Sequence, residues 1–212
     1  MTDNIQQIRD YMQSFGLISD SIKKKCDYYF DVQIIRRGKD NPDMPAANYQ
    51  LKVYYMDSFE KFDRFIPEIK TLCDTFKCRA YVSTTIKLKR KLAAKTLSCL
   101  AEMIENGDIS APWRLFAHAS DKVVPVSRRW VVDIDNVDEL PETAVDTFKD
   151  IIRSCDSGHE DPVILKLDTR SGIHLITHPF NLAQFEKKTV EAGLEKIADV
   201  KKNHITLLYE NL

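Results

Sequence analysis

The sequence predicts an α+β protein whose second half is a β-α-β-β-α-β unit, and three observations carry that expectation. Short runs rich in Val, Ile, Tyr and Phe recur along the 212 residues, each bounded by turn residues. Between them lie longer stretches whose apolar residues repeat at helical spacing. From residue 123 onward the two kinds of segment follow the order strand, helix, strand, strand, helix, strand, the split βαβ or ferredoxin-like arrangement. The first half, residues 1–122, reads as a ββαβα lobe packed against the second, residues 123–212. A chain of this length forms one domain or two closely packed lobes.

Taken in order, Asp3 to Ser14 places Ile5, Ile8, Tyr11 and Met12 on one face of a short helix, stopped by Gly16. Cys26 to Arg37 alternates, with Tyr28, Phe30, Val32 and Ile34 sharing a face, and it runs out into basic residues. A loop with Pro42 and Pro45 leads to a second strand, Tyr49 to Met56. Asp57-Ser58-Phe59-Glu60 has the form of a helix start, with Glu60 placed to complete a capping box. Pro67 is expected to kink or restart the helix that follows. Arg79 to Ile86 returns to strand. A long helix from about Lys87 to Asn106, with Leu88, Leu92, Leu100 and Met103 turned inward, is closed by Gly107. Pro112 to His118 reads as a short helix carrying Trp113. The second half offers a strand at Trp130 to Asp135 and a helix at Pro141 to Ser154. Strands at Pro162 to Leu167 and Ile173 to Thr177, a helix at Asn181 to Glu191 and a last strand near His204 to Tyr209 complete it.

Formal charge is −1, so the whole molecule announces no polyanion partner. Locally the balance differs, because Thr75 to Ala101 holds no acid but seven Lys and Arg residues. Arg36, Arg37, Arg79, Lys87, Lys89 and Arg90 are therefore candidate nucleic-acid contacts, while solvated helix and edge-strand cations are the ordinary alternative. Tyr29 and Tyr81 are candidate stacking residues. Cys26, Cys73, Cys78, Cys99 and Cys155 form no CxxC pair, which favours reduced thiols and a cytoplasmic protein. No apolar run is long enough to span a membrane.

The segment Trp130-Val131-Val132-Asp133-Ile134-Asp135 carries the chemistry. Strand alternation turns Asp133 and Asp135 to one face and Val132 and Ile134 to the other. Two carboxylates on a rigid element suit Mg²⁺ or Mn²⁺, although Asp135-Asn136 also reads as a turn that caps the next helix. His174 lies on a strand expected beside this one, after Ser171 and Gly172, and Gly172 allows close approach of a ligand to the backbone. Lys166 and Arg170 are spaced to add positive charge at the same edge.

These residues resemble the archaeo-eukaryotic primase superfamily, including its primase-polymerases. Trp130 to Asp135 is similar to the family's hydrophobic acid strand, Ser171-Gly172-Ile173-His174 to its later serine–histidine strand, and Ala198-Asp199-Val200 to its late acid, with Glu210 as the fallback. The resemblance covers about residues 129–209. Gly172 stands two positions before His174, where some members have serine, and the chain shows neither a zinc stem nor a helicase domain. It implies an RRM-like core and two-metal nucleotidyl transfer: Asp133, Asp135 and Asp199 would bind Mg²⁺ or Mn²⁺, and His174 with Ser171, Arg170 or Lys166 would orient a nucleoside triphosphate. The partners implied are template, primer and other replication proteins such as a helicase, and residues 1–122 would help grip template or nucleotide. Two other readings use the same residues: a non-catalytic nucleic-acid-binding accessory protein, and a metal-dependent nuclease or nucleotide hydrolase.

Overall fold

A computed structural model describes residues 1–43, 48–108 and 114–211. Its architecture is mixed α+β, with two antiparallel sheets. The first sheet has strands β1 (Thr2–Asp3), β2 (Tyr28–Arg37), β3 (Asn48–Met56), β4 (Arg79–Ser83), β5 (Lys87–Leu88) and β10 (Ile205–Glu210). Their order is β1-β10-β4-β2-β3, with β5 joined to the start of β2. The second has β6 (Trp130–Asp135), β7 (Val163–Asp168), β8 (Gly172–Thr177) and β9 (Ala198–Lys202), in the order β7-β8-β6-β9.

Alternation explains how β2 becomes the centre of the first half. Phe30, Val32 and Ile34 are fully buried on one face, where they meet Phe62 and Ile69 of helix α2 (Phe59–Phe76) and Ile8 and Met12 of α1 (Ile5–Ser14). The opposite face buries Tyr29 against Leu92 and Cys99 of α3 (Lys89–Glu105) and Ala119 of α4 (Leu115–Asp121). Tyr29 therefore cannot stack on a base, and its hydroxyl pairs with Ser120 at 3.0 Å. Residues 44–47 and 109–113 lie outside the described set, so the expected loop at Pro45 and the helical turn at Trp113 fall partly or wholly there.

Three local expectations change. Ser58, not Asp57, caps α2 by accepting from the Lys61 amide at 3.2 Å, and this shifts Glu60 to a position where it accepts from Ser21 and Ile22 instead of closing a capping box. The helix runs unbroken through Pro67. On α3, Leu92 and Cys99 are buried but Leu100 is exposed, because it lies about 100° around the helix from Cys99.

In the second half, Val132 and Ile134 of β6 join Phe148 and Ile152 of α5 (Ala144–Arg153) and Phe185 of α6 (Leu182–Glu191) in a separate core. Fully burying a side chain such as Phe148 contributes about 1.5–3 kcal/mol, and five or more do so here. Asn181 caps α6 by accepting from the Gln184 amide. The expected closing strand is displaced: Ala198–Lys202 pairs with β6, whereas Ile205–Glu210 crosses to the first sheet and pairs with β4. Asn203, at φ 51°, makes the turn between them.

That crossing ties the two sheets together. Asn4 donates to the carbonyls of Asp168 on β7 and Leu207 on β10, and Leu167 and Ile176 of the second sheet are buried in the core of the first. Among the described residues, no helix is long and apolar enough to cross a membrane.

Candidate active site

Because β6 pairs with β8 on one side and β9 on the other, Asp133 has His174 and Asp199 as its cross-strand neighbours. Residues directly opposite in an antiparallel ladder share a face, so the alternation that sends Val132 and Ile134 to the helices sends Asp133, Asp135, His174 and Asp199 to the other side. There a cavity of about 420 Å³ separates Asp133, Asp135 and His174 from the first sheet, whose Ile35, Arg37, Arg79, Tyr81 and Leu207 form its far wall, while Asp199, on the edge strand, is not among its lining residues.

Asp133 is the hub. Its Oδ1 accepts from His174 Nε2 at 3.1 Å and its Oδ2 from Lys201 Nζ at 2.5 Å, with the Asp133 and His174 side chains 14% and 12% exposed. Burial disfavours the Asp133 charge, yet the hydrogen bonds from His174 and Lys201 outweigh it and hold the carboxyl well below the usual range. With Nε2 donating to Asp133, Nδ1 of a neutral His174 ring accepts from Thr206 Oγ1 at 2.8 Å. Thr206 itself is fully buried on β10. Close by, burial and the neighbouring Lys201 and His174 lower the pKa of His204.

Asp135 is exposed at the end of β6, and Asn136 follows at φ 53°. Asn136 makes no side-chain cap, and α5 starts only at Ala144, so the pair ends the strand without capping the helix. Gly172 is required by the sheet, not by a ligand: a Cβ there would lie 2.1 Å from the Ile134 carbonyl oxygen. Ser171 and Arg170 line the cavity mouth, and Arg170 reaches to 3.6 Å from Asp40.

Several sequence candidates are placed elsewhere. Lys166 pairs in register with Leu175, a residue of the helix-side core, so it faces away from the cleft. Arg79 lines the cleft but is locked between Asp40 at 2.8 Å and Glu210 at 3.1 Å, with all three side chains at most 7% exposed. Glu210 thus belongs to the first sheet and is no third acid for Asp133. Lys87 is buried against Asp31 at 3.1 Å, and Lys89 pairs with Asp57 at 2.5 Å. Arg36 bonds Asn41, while Arg90 is exposed on α3 away from the cavity. Of that basic group Arg37 remains at the cleft, hydrogen-bonded to the Tyr81 hydroxyl at 3.3 Å.

Sequence reasoning missed Lys201 and Thr206. Lys201 was within reach of it, since it lies two residues beyond Asp199 on the same strand face. Thr206 had no signal, because it comes from a strand of the other sheet.

The donor atoms suit a hard divalent cation, which takes carboxylate oxygens and keeps several waters. Asp133 and Asp199 stand opposite each other, and Lys201 Nζ lies 2.5 and 3.8 Å from their carboxylates. The ammonium therefore supplies the positive charge these acids call for, and among the described residues no three His, Cys, Asp or Glu groups converge on one point. Compared with known proteins, the chain matches no family model, no curated protein and no solved structure.

Proposed function

We propose that this chain is a metal-dependent nucleotidyltransferase of the primase-polymerase kind, working in the cytoplasm on a nucleic acid template and primer with nucleoside triphosphates. The observation that carries the reading is the Asp133–His174 pair, set side by side on adjacent strands with Asp199 opposite and Arg37 across the cleft. The order β7-β8-β6-β9, all antiparallel, is the order a ferredoxin-like β-α-β-β-α-β unit takes, which supports treating residues 123–202 as an RRM-like catalytic core. Residues 1–122, with β10, form the wall that faces it. Five free cysteines fit a reducing compartment.

In this reading Asp133, Asp135 and Asp199 would hold Mg²⁺ or Mn²⁺ once Lys201 gives way and the acids draw together, and the ion would supply charge neutralisation on the triphosphate. His174 is oriented by Thr206 on one nitrogen and presents the other, as an N–H, toward the acids and the bound phosphates. Arg170 and Arg37 add cations at the cleft mouth, and Ser171 adds a hydroxyl. Such chemistry is mostly positioning and charge stabilisation, and rigid strands are suited to it.

One observation favours a second reading. Lys201 satisfies Asp133 without a metal, as expected of a non-catalytic nucleic-acid-binding accessory protein that keeps the arrangement for stability.

Incorporation of labelled nucleotide on a primed template with Mn²⁺ or Mg²⁺ separates the two. Asp135 is exposed, so Asp135→Ala should leave the circular dichroism spectrum intact and reduce incorporation to background. Incorporation that survives in Asp135→Ala and in Asp133→Ala/Asp135→Ala, or is absent from the parent, removes the enzymatic reading. Shortened instead of extended strands would point to a nuclease.

A further inference from the structure

A second, larger cavity of about 930 Å³ lies beside the first, and the two share His204 and Ile205 as a common wall. They also share a floor. Alternate residues of β2 present Asp31 and Gln33 to the second cavity and Ile35 and Arg37 to the first, while β4 presents Ser83 to one and Tyr81 to the other. From Asp31 to Arg37 the strand covers about 20 Å at ~3.3 Å per residue. That is the scale of the shortest single-strand sites, about four nucleotides.

Two cations of this second cavity are not spent on internal pairs. Arg128 and Lys202 are exposed, and among the described contacts neither has a carboxylate partner; Lys202 rests over the Trp130 ring at 5.2 Å. Lys122 meets Glu102 at 3.5 Å with both side chains well exposed, a pairing worth little in water. The acids that line the cavity, Asp31 and Asp121, both lie near Lys87, whose ammonium is 3.1 Å from Asp31; burial raises the Asp121 pKa, and Lys87 offsets that only in part. The floor thus holds two acids and one ammonium, and the positive charge lies on the rim.

We propose that this cavity is the track of a single nucleic acid strand, with phosphates on Lys122, Arg128 and Lys202, continuing past His204 and Ile205 to Asp133. The proposal rests on the function above and locates its polymer substrate. It also replaces the basic residues singled out in the sequence, since Arg79, Lys87 and Lys89 are held by carboxylates and Arg36 and Arg90 lie outside both cavities. Cations spaced along a rim suit a polyanion; a free nucleotide would need them gathered around one phosphate group.

The test is binding of a short labelled oligothymidylate, followed by fluorescence anisotropy at several salt concentrations. The parent is compared with Lys122→Gln/Arg128→Gln/Lys202→Gln, whose positions are on the surface. Losing three phosphate contacts should weaken binding at least about tenfold and flatten the log–log salt slope by about 2. Equal affinity and slope in the triple variant, no binding by the parent, or equal displacement of the strand by polyglutamate would overturn the proposal. Because this readout needs no incorporation, a parent that binds through the three cations but never extends a primer would refute the enzymatic reading and leave the track standing.

Discussion

Two buried charge networks face the same cleft from opposite sheets, and they are built differently. On the first sheet Arg79 lies between Asp40 and Glu210, with every side chain at most 7% exposed. On the second, His174 and Lys201 both bond Asp133, but the Lys201 side chain is 34% exposed and Asp199, 3.8 Å from it, is 74% exposed. The first network is closed around Arg79, with Arg170, 3.6 Å from Asp40, as its one exposed neighbour; in the second a partner bonded directly to the buried acid can leave for water at low cost. A charge that can be exchanged is a place where a ligand ion can enter, and a charge that cannot is a fixture of the fold.

The largest expected effect is on the closed network. Arg79→Met strands two buried carboxylates and should cost about 3–5 kcal/mol in chemical denaturation; a loss below 1 kcal/mol would mean the network is not closed. Next comes the strand contact that sets the open one. Gly172→Ala drives a methyl group into the Ile134 carbonyl, so β6 and β8 must part, at about 1–3 kcal/mol. An unchanged melting temperature would show that the two strands separate easily.

Acid titration probes the open network from another side. Because the folded Asp133 pKa is depressed, its pairing contributes stability that is complete above the unfolded carboxylate value of about 3.9 and is lost as the pH falls further toward the folded value. Asp133→Asn should remove that part of the acid slope, and an unaltered slope would contradict the pairing. The smallest stability change belongs to Lys201→Met, under about 1 kcal/mol for a partly exposed pair. It should nevertheless tighten Mn²⁺ binding several-fold, read as loss of the free-ion electron paramagnetic resonance signal. Weaker or unchanged binding would make Lys201 a ligand-neutral fixture and erase the contrast with Arg79.

Much of this arrangement was legible in the chain. Period-two alternation put Asp133 and Asp135 on one strand face, and the order of segments brought His174 beside them, because adjacent antiparallel strands are set by patterning that any slip would invert. Most helix and strand positions described between Ile5 and Glu191 follow from the same periodicities, whereas Lys87 and Leu88, expected to open a helix, pair with β2 as β5. The basic block was misleading for an equally physical reason: Arg79, Lys87 and Lys89 are neutralised by Asp40, Asp31 and Asp57, which lie between 30 and 60 residues away. Composition records a charge but not its partner.

By itself, then, the sequence determined the α+β class and the shared face of Asp133, Asp135 and His174, both consequences of local periodicity. Tertiary structure alone decided which sheet the last strand joins, and with it the position of Thr206 behind His174, of Glu210 beside Arg79, and of His204 and Ile205 between the two cavities. The sequence marked one closing strand, near His204 to Tyr209, and not the strand at Ala198–Lys202 that takes its place beside β6; pairing partners are chosen by the long-range fit of whole faces, which no local pattern encodes.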